Sequence, residues 1–582
     1  MTRLPPIVAF VAVLGIVSTA CQSQQTPVST FDRGALLFSG ERALQTEREF
    51  VLAFPYRHSG QPNNQAAADW LLQQFIAVGW TCKLDRWEIV NYSRPVELNN
   101  VACRLPGDSD REILVTAHLD QAPTTIQGAN NDGAGIAILL ELARMFAAQP
   151  RQPYTLAFVA TDAEEYGMIG SGRYIATHPD PRKILAGLSL DNLGRPYYDG
   201  LSMELVGQYR GYGPIWLALA ARQAARDSGT PWTVSLRSPL DQATDQAAPV
   251  SFMDQGPMVA AGVPALGLTG RAPSEYAELE LDLWHSPGDT LERQSAQALG
   301  QSGLIAEAFV RQLLSMKSFP QESGPYLYFD GTSQVLRGPA LWLIFTAFVA
   351  SFFLGSLLVA HKPLAETVRG WRIAVPHFLG LWLPLLASIL LLYVFVAVGL
   401  MDAYARYPAT SKDPLMLYPR WPAVILFVMG LAGFLYLGRR LAARYSDADI
   451  STAGTDIKSF SLLVIGLGGL YILVLNPFSL LFLVPVLFWF LIRQRKGAGQ
   501  TLNIVFFALG WLMIYALIYM IGFQILRLGW SILWYLMNMF SIRMISFPTA
   551  AVITAIIAAG LAIFVWPPRA GAAANPAVSR AA

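Results

Sequence analysis

The chain has 582 residues, 53% of them hydrophobic and only 14% charged, and its mean hydropathy is +0.39. That length exceeds one ordinary domain, and that composition is more apolar than the soluble average. The formal charge of +2 is the remainder of 42 basic and 40 acidic residues, so no basic surface for nucleic acid is expected. The apolar surplus is uneven. Residues 25–315 carry charges throughout and read as a soluble-type domain, whereas residues 339–567 read as an all-α bundle of transmembrane helices.

Residues 1–24 open with Arg3, continue in the apolar run 7–17 and close on small residues before Cys21. This is the pattern of an export signal. Ser18-Thr-Ala-Cys21 resembles a bacterial lipobox, with Ser18 where Leu is usual. Lipidation of Cys21, a retained signal anchor and plain cleavage all remain open. Each sends the following domain out of the cytoplasm. Cys82 and Cys103 lie in strand-like stretches that can pair. In an oxidising compartment a disulfide between them is expected, the alternative being two buried thiols.

Residues 30–80 look helical. The stretch 66–78 repeats apolar residues at helical spacing and stops at Gly79. Strands are expected at 80–90 and 99–105. Residues 113–117 (ILVTA) form an apolar strand ending at His118-Leu-Asp120. A Gly/Asn/Asp turn and an apolar helix over 135–145 follow. A second strand, 154–160, ends at Asp162-Ala-Glu164-Glu165. Strand, turn, helix and strand make a βαβ unit. A third strand, 186–190, ends at Asp191-Asn192. A helix near 213–228, a buried strand at 263–268 and the loop Trp284-His285-Ser-Pro-Gly-Asp289 complete the series. The alternation implies an α/β three-layer sandwich with a mostly parallel sheet.

Ligands of such sheets bind outside the carboxyl ends of the strands. There the chain places His118, Asn131 or Asp132, Glu164, Glu165, Asp191 and His285. Two histidines with several carboxylates suit Zn²⁺, Mn²⁺ or Co²⁺, and suit a dinuclear site. Singly, each reads as an ordinary surface or turn residue. Their order, each at a strand end, is what points to chemistry.

The same order resembles the zinc exopeptidases of metallopeptidase family twenty-eight, which include aminopeptidases and glutaminyl cyclases. The motifs are His118-Leu-Asp120, Gly128-Ala-Asn-Asn-Asp-Gly-Ala-Gly135, Glu164-Glu165, Asp191 and His285, with Met253-Asp-Gln-Gly-Pro-Met-Val-Ala-Ala-Gly-Val-Pro-Ala265 before the last strand. The resemblance covers about residues 40–315. It implies that His118 and Asp191 hold one zinc, and that Glu165 and His285 hold the other. It implies Asp120 as the group orienting the His118 ring and Glu164 as the general base taking a proton from the attacking water. The family has Asp, bridging two metals, where this chain has Asn131, with Asp132 next. Three arrangements follow: Asp132 takes the bridge, Asn131 serves a single metal, or the site binds none.

Residues 316–338 are rich in Gly, Pro and Ser and read as a linker. Apolar runs follow at about 339–360, 373–401, 421–438, 459–475, 477–492, 502–525, 528–542 and 546–566, about eight spans in all. Residues 568–582 read as a disordered tail. Lys362, Arg369 and Arg372 follow the first run. Arg439, Arg440 and Arg444 follow the third, and Arg493, Arg495 and Lys496 follow the fifth. Those loops are expected in the cytoplasm, which puts the domain before the first span outside. The runs hold essentially no charge, so an anchor or partner-binding bundle is expected rather than a transporter.

The expected whole is a multi-pass protein of the bacterial inner membrane with a periplasmic zinc aminopeptidase. Its partners are a peptide substrate and membrane lipid, with a membrane-protein partner or a second copy as further options. The rivals are a non-catalytic binding domain, which Asn131 would explain, and a one-zinc, glutaminyl-cyclase-like acyltransferase.

Overall fold

The structure is a computed structural model. It describes residues 21–24 and 36–566, apart from 92–93, 323, 361–363, 403–411, 413, 445–449, 490–504, 506–507, 520–521 and 524–526. Of the segment 1–24 expected as an export signal, residues 1–20 lie outside the described residues, as does the expected tail over 568–582. The chain divides into two units, Met1–Ala340 with Tyr404–Leu417, and Leu341–Ala403 with Tyr418–Ala582.

The first unit begins with a short strand β1 (Cys21–Ser23). Its main sheet comprises β2 (Thr81–Asn91), β3 (Arg94–Leu105), β4 (Ser109–His118), β5 (Tyr154–Thr161), β6 (Ile184–Asp191), β7 (Gly200–Glu204), β8 (Thr233–Ser235) and β9 (Ala265–Arg271). The spatial order is β2-β3-β5-β4-β6-β9-β7-β8. The centre, β5-β4-β6-β9, is parallel. The edges are not: β3 runs antiparallel to β2 and β5, and β7 antiparallel to β9. The sheet is therefore mixed: the expected parallel pattern holds in the middle and in the edge pair β7–β8, and the other joins are antiparallel. A parallel return needs a crossover of a dozen or more residues. The connections from β2 to β3 and from β6 to β7 are shorter than that, so each reverses the chain.

Alternation along the central strands fills two layers. Ile113, Val115, Ala117, Leu156, Phe158 and Leu188 pack with helices Gly40–Ala53, Pro62–Ala77, Ala134–Ala147, Ile215–Asp227 and Ala296–Ser315. Leu114, Ala157 and Val159 pack on the other side with Tyr174, Ile175, Met258 and Val259, from helices Ile169–Thr177 and Gln255–Ala260. Burial on both faces explains why these strands read as continuous apolar runs. It also explains why their polar residues collect at the ends. Cys82 faces Cys103 across the β2–β3 ladder, and the two are joined by a disulfide.

The stretch read as a linker is ordered structure. β10 (Tyr326–Phe329) and β11 (Gln334–Arg337) form a hairpin, and β1 adds to its far side through Cys21↔Leu336. Composition hid this because the strands are only four residues each. What holds them is burial of Tyr326, Tyr328, Val335 and Leu336, together with two glutamine side chains. Gln242 donates to the Tyr328 carbonyl and accepts from its N–H, and Gln246 does the same for Tyr326. Each amide thus replaces a strand neighbour. Cys21 is half-buried and its thiol is free.

Among the described residues five helices are long and apolar enough to cross a membrane: Gly338–Ser356, Ala365–Ala397, Trp421–Arg444, Gly454–Leu475 and Phe547–Val565. They fall on five of the eight expected runs. The run at 528–542 carries a helix of 10 residues, Ile532–Ser541. Those at 477–492 and 502–525 extend into residues outside the description.

Candidate functional site

β4 and β6 end at His118 and Asp191, and the turn after β5 carries Glu164 and Glu165. Three turns depart from ordinary backbone at the sheet edge. Ala163, Asn192 and His285 all have positive φ, of 58°, 57° and 51°, a region that side chains with a Cβ rarely adopt.

The His118 ring is held from both sides. Nδ1 lies 3.4 Å from Asp120 Oδ1. Nε2 lies 2.8 Å from Asn131 Oδ1, 3.7 Å from Asp191 Oδ1 and 4.0 Å from Glu164 Oε2. Asp120 is itself anchored, since its carboxylate accepts the N–H groups of Glu164 and Glu165, both at 3.2 Å. One buried carboxylate therefore sets the histidine and the Glu-Glu turn together. Opposite, His285 Nε2 lies 3.0 Å from Glu165 Oε2. The Thr124 hydroxyl donates to the His285 carbonyl, and the Trp284 and His285 rings lie 4.3 Å apart.

Asn131 stands between these two groups. Its Oδ1 faces His118 Nε2, and its Nδ2 donates to Glu165 Oε1 at 2.8 Å. Which amide atom faces which side is an assignment from the hydrogen bonds. Asp132 is occupied elsewhere: Oδ1 accepts from Gly135 N–H at 2.9 Å and Oδ2 from His118 N–H at 3.2 Å. A Cβ on Gly135 would come within 2.2 Å of that carboxylate, so only glycine fits there. Asp289, which carried no role in the sequence reading, binds the backbone N–H groups of Asn130 and Asn131 and pairs with buried Arg195 at 2.8 Å. Its place four residues after His285 was the available signal.

The seven residues singled out from sequence as ligands, His118, Asn131, Asp132, Glu164, Glu165, Asp191 and His285, converge. Two groups have ligand atoms within 4.8 Å of one another, His118/Asp132/Asp191 and His118/Glu164/Glu165, all of them buried. The electrostatics match a cation site. Burial opposes charge on His118, yet Asp120, Asp191 and Glu164 push its imidazole well above the usual range. Burial also drives Glu164 well above an ordinary carboxylate, and Glu165 and Asp191 add to this. Buried carboxylates crowded around imidazoles suit a divalent metal, which offsets their repulsion. The donor set therefore fits zinc.

Asn131, Glu164, Glu165, Asp191 and His285 open on a cavity of about 230 Å³ whose wall includes Met168, Glu204, Phe252, Met253, Thr269 and Trp284. Tyr197, Tyr198, Tyr209 and Tyr212 are not in its lining. Tyr198 instead joins Asn130 to Glu280. Glu204 and Lys412 carried no sequence signal. Lys412, from the part of 404–417 that clusters with this unit, donates to the carbonyls of Leu281, Asp282 and Trp284 at 3.0, 2.7 and 2.9 Å. It thereby caps the helix Ala277–Leu283 just before His285.

Residues 100–310 match the model of Peptidase family M28. The alkaline phosphatase isozyme conversion protein of Escherichia coli (strain K12) is 29% identical over 184 residues, 26% of this chain and 51% of the relative. The aminopeptidase YwaD of Bacillus subtilis (strain 168) is 26% identical over 211 residues, 36% and 42% of the two chains. The vacuolar membrane protease of Candida dubliniensis is 25% identical over 347 residues, 58% of this chain and 34% of the relative. The chain thus spans about half or less of the length of these relatives. The solved zinc aminopeptidase of Bacillus subtilis aligns over 47% of this chain and 95% of its own, at 17% identity and a TM-score of 0.40. On the family match and the order of its motifs, the chain carries a peptidase family M28 domain.

Proposed function

We propose that this protein is a membrane-anchored, zinc-dependent aminopeptidase that removes N-terminal residues from peptides outside the cytoplasm. The observation that carries the reading is the convergence of Asn131, Glu164, Glu165, Asp191 and His285 on one cavity, with His118 directly behind Asn131. The family match and the aminopeptidases among the relatives support it. The five apolar helices and the basic loops after the first and third expected spans support the anchorage and the side of the membrane.

In this reading one zinc is held, not two. Asn131 offers a single neutral oxygen, which faces His118 and completes three donors with His118 and Asp191. Three protein ligands leave the open position that a catalytic zinc requires. When bound, zinc supplies a Lewis acid for the scissile carbonyl and for the attacking water. Glu164 takes the proton of that water and passes it to the leaving amine. Asp120 keeps the His118 ring turned so that Nε2 faces the site. Trp284 and the apolar wall exclude bulk water from the reacting groups.

The test uses the full chain in detergent with aminoacyl-amide substrates. Chelator is expected to abolish hydrolysis, and zinc to restore it. Hydrolysis that survives complete metal removal sinks the reading. A second expected outcome concerns Lys412, whose ammonium fixes the turn carrying His285. Lys412→Met is expected to weaken zinc retention about tenfold, the scale typical of groups that orient ligands, measured by competition with a chromogenic chelator. Lys412→Arg keeps several donors and is expected to recover most of it.

A further inference from the structure

One polar wall residue of the cavity has no part in the metal chemistry. Glu204, the last residue of β7, is half-buried in the cavity lining. Its Oε1 accepts three hydrogen bonds, from Ser251 Oγ at 2.6 Å, Phe252 N–H at 2.9 Å and Gln255 Nε2 at 2.9 Å. Among the described residues no hydrogen bond reaches Oε2, and no Lys or Arg lines the cavity. The carboxylate is thus locked in orientation by one oxygen while the other is left to the cavity. A buried anion without a cation is costly, and burial here pushes Glu204 up to about 7. The missing cation is one that a ligand brings.

The sheet register provides a ruler. Asp191 and Ser202 both face Thr269 from opposite sides of β9. Two strand spacings, about 10 Å, therefore separate the metal-side strand from β7, and Glu204 lies two residues, roughly 7 Å, farther along. The α-amino group of an aminopeptidase substrate is bonded to the carbon next to the scissile carbonyl, so it stays at the metal end. The Glu204 side chain and a hydrogen bond take up part of that interval, and an extended lysine or arginine side chain suits the rest. Met168, Phe252 and Met253 of the same wall suit its aliphatic stem.

We propose that Glu204 is a specificity-determining residue that selects peptides whose N-terminal residue bears a long cationic side chain, lysine or arginine. This rests on the aminopeptidase reading. The probes are the coumarin amides of L-lysine and L-norleucine, which share the aliphatic stem and differ in the terminal ammonium. With the full chain, kcat/KM is expected to favour lysine over norleucine by about 10- to 100-fold, the range of a hydrogen bond to a charged group. In Glu204→Gln, which keeps an acceptor for Ser251, Phe252 and Gln255, that ratio is expected to fall to about one. A wild-type ratio near one, or a ratio unchanged in the variant, overturns the proposal even if both substrates are cleaved. If neither is cleaved, the aminopeptidase reading fails. Calorimetric binding of lysinamide against norleucinamide then decides the role of Glu204: tighter lysinamide binding that is lost in the variant sustains it, and equal binding overturns it.

Discussion

Glu164→Gln is expected to lower kcat by about 10³-fold, within the range for loss of a general base, while zinc content stays unchanged. The glutamine side chain is isosteric but accepts no proton. Glu164 is not among the donors assigned to zinc, and its Oε2 lies 4.0 Å from His118 Nε2, facing the site. Its surroundings raise its proton affinity: burial acts first, and the nearby charges of Glu165 and Asp191 reinforce it. A base in that environment binds its proton firmly, as shuttling from water to amine requires. Retained zinc separates loss of the base from collapse of the site. Loss of both together would assign Glu164 to the ligand set instead.

Asn131→Asp is expected to raise the zinc content from one equivalent to two. Two dications 3.5–4 Å apart repel by on the order of 15–20 kcal/mol at an effective dielectric of 20. A carboxylate between them attracts both, whereas an amide attracts one through its oxygen and turns its NH₂ toward the other. That is the arrangement seen, with Oδ1 toward His118 and Nδ2 toward Glu165. Asp132 does not take the bridge: its oxygens are held by the Gly135 and His118 N–H groups, and it groups with His118 and Asp191 alone, not with Glu165 or His285. The variant changes no volume to speak of, so metal content by elemental analysis reads charge and donor type alone. One equivalent in both proteins would place the limit on nuclearity elsewhere.

The sheet centre was legible because β4, β5 and β6 are buried on both faces and leave their polar residues at the carboxyl ends. The same feature made the site legible, since His118, Glu164-Glu165 and Asp191 each terminate an apolar run. What escaped depends on partners distant in sequence. The hairpin 326–337 is completed by Gln242 and Gln246, 86 and 80 residues before the tyrosines they bind. Glu204 reads as a solvated strand end until Ser251, Phe252 and Gln255 are seen around it. Lys412 follows a long apolar helix in sequence yet binds carbonyls beside His285. The reading of Asn131 and Asp132 as interchangeable ligands also needed geometry, because neighbours in sequence point to different partners here.

The most direct measurement is mass spectrometry of peptides incubated with the zinc-loaded full chain. Peptides with a free N-terminal lysine or arginine are to be compared with N-acetylated copies and with a peptide beginning in glutamine. Stepwise loss of single N-terminal residues from the free peptides alone is the expected result. Intact peptides throughout would contradict it and leave a binding domain on a peptidase fold. Loss of ammonia from the glutamine peptide, with no residue removed from any, would contradict it in favour of a cyclase.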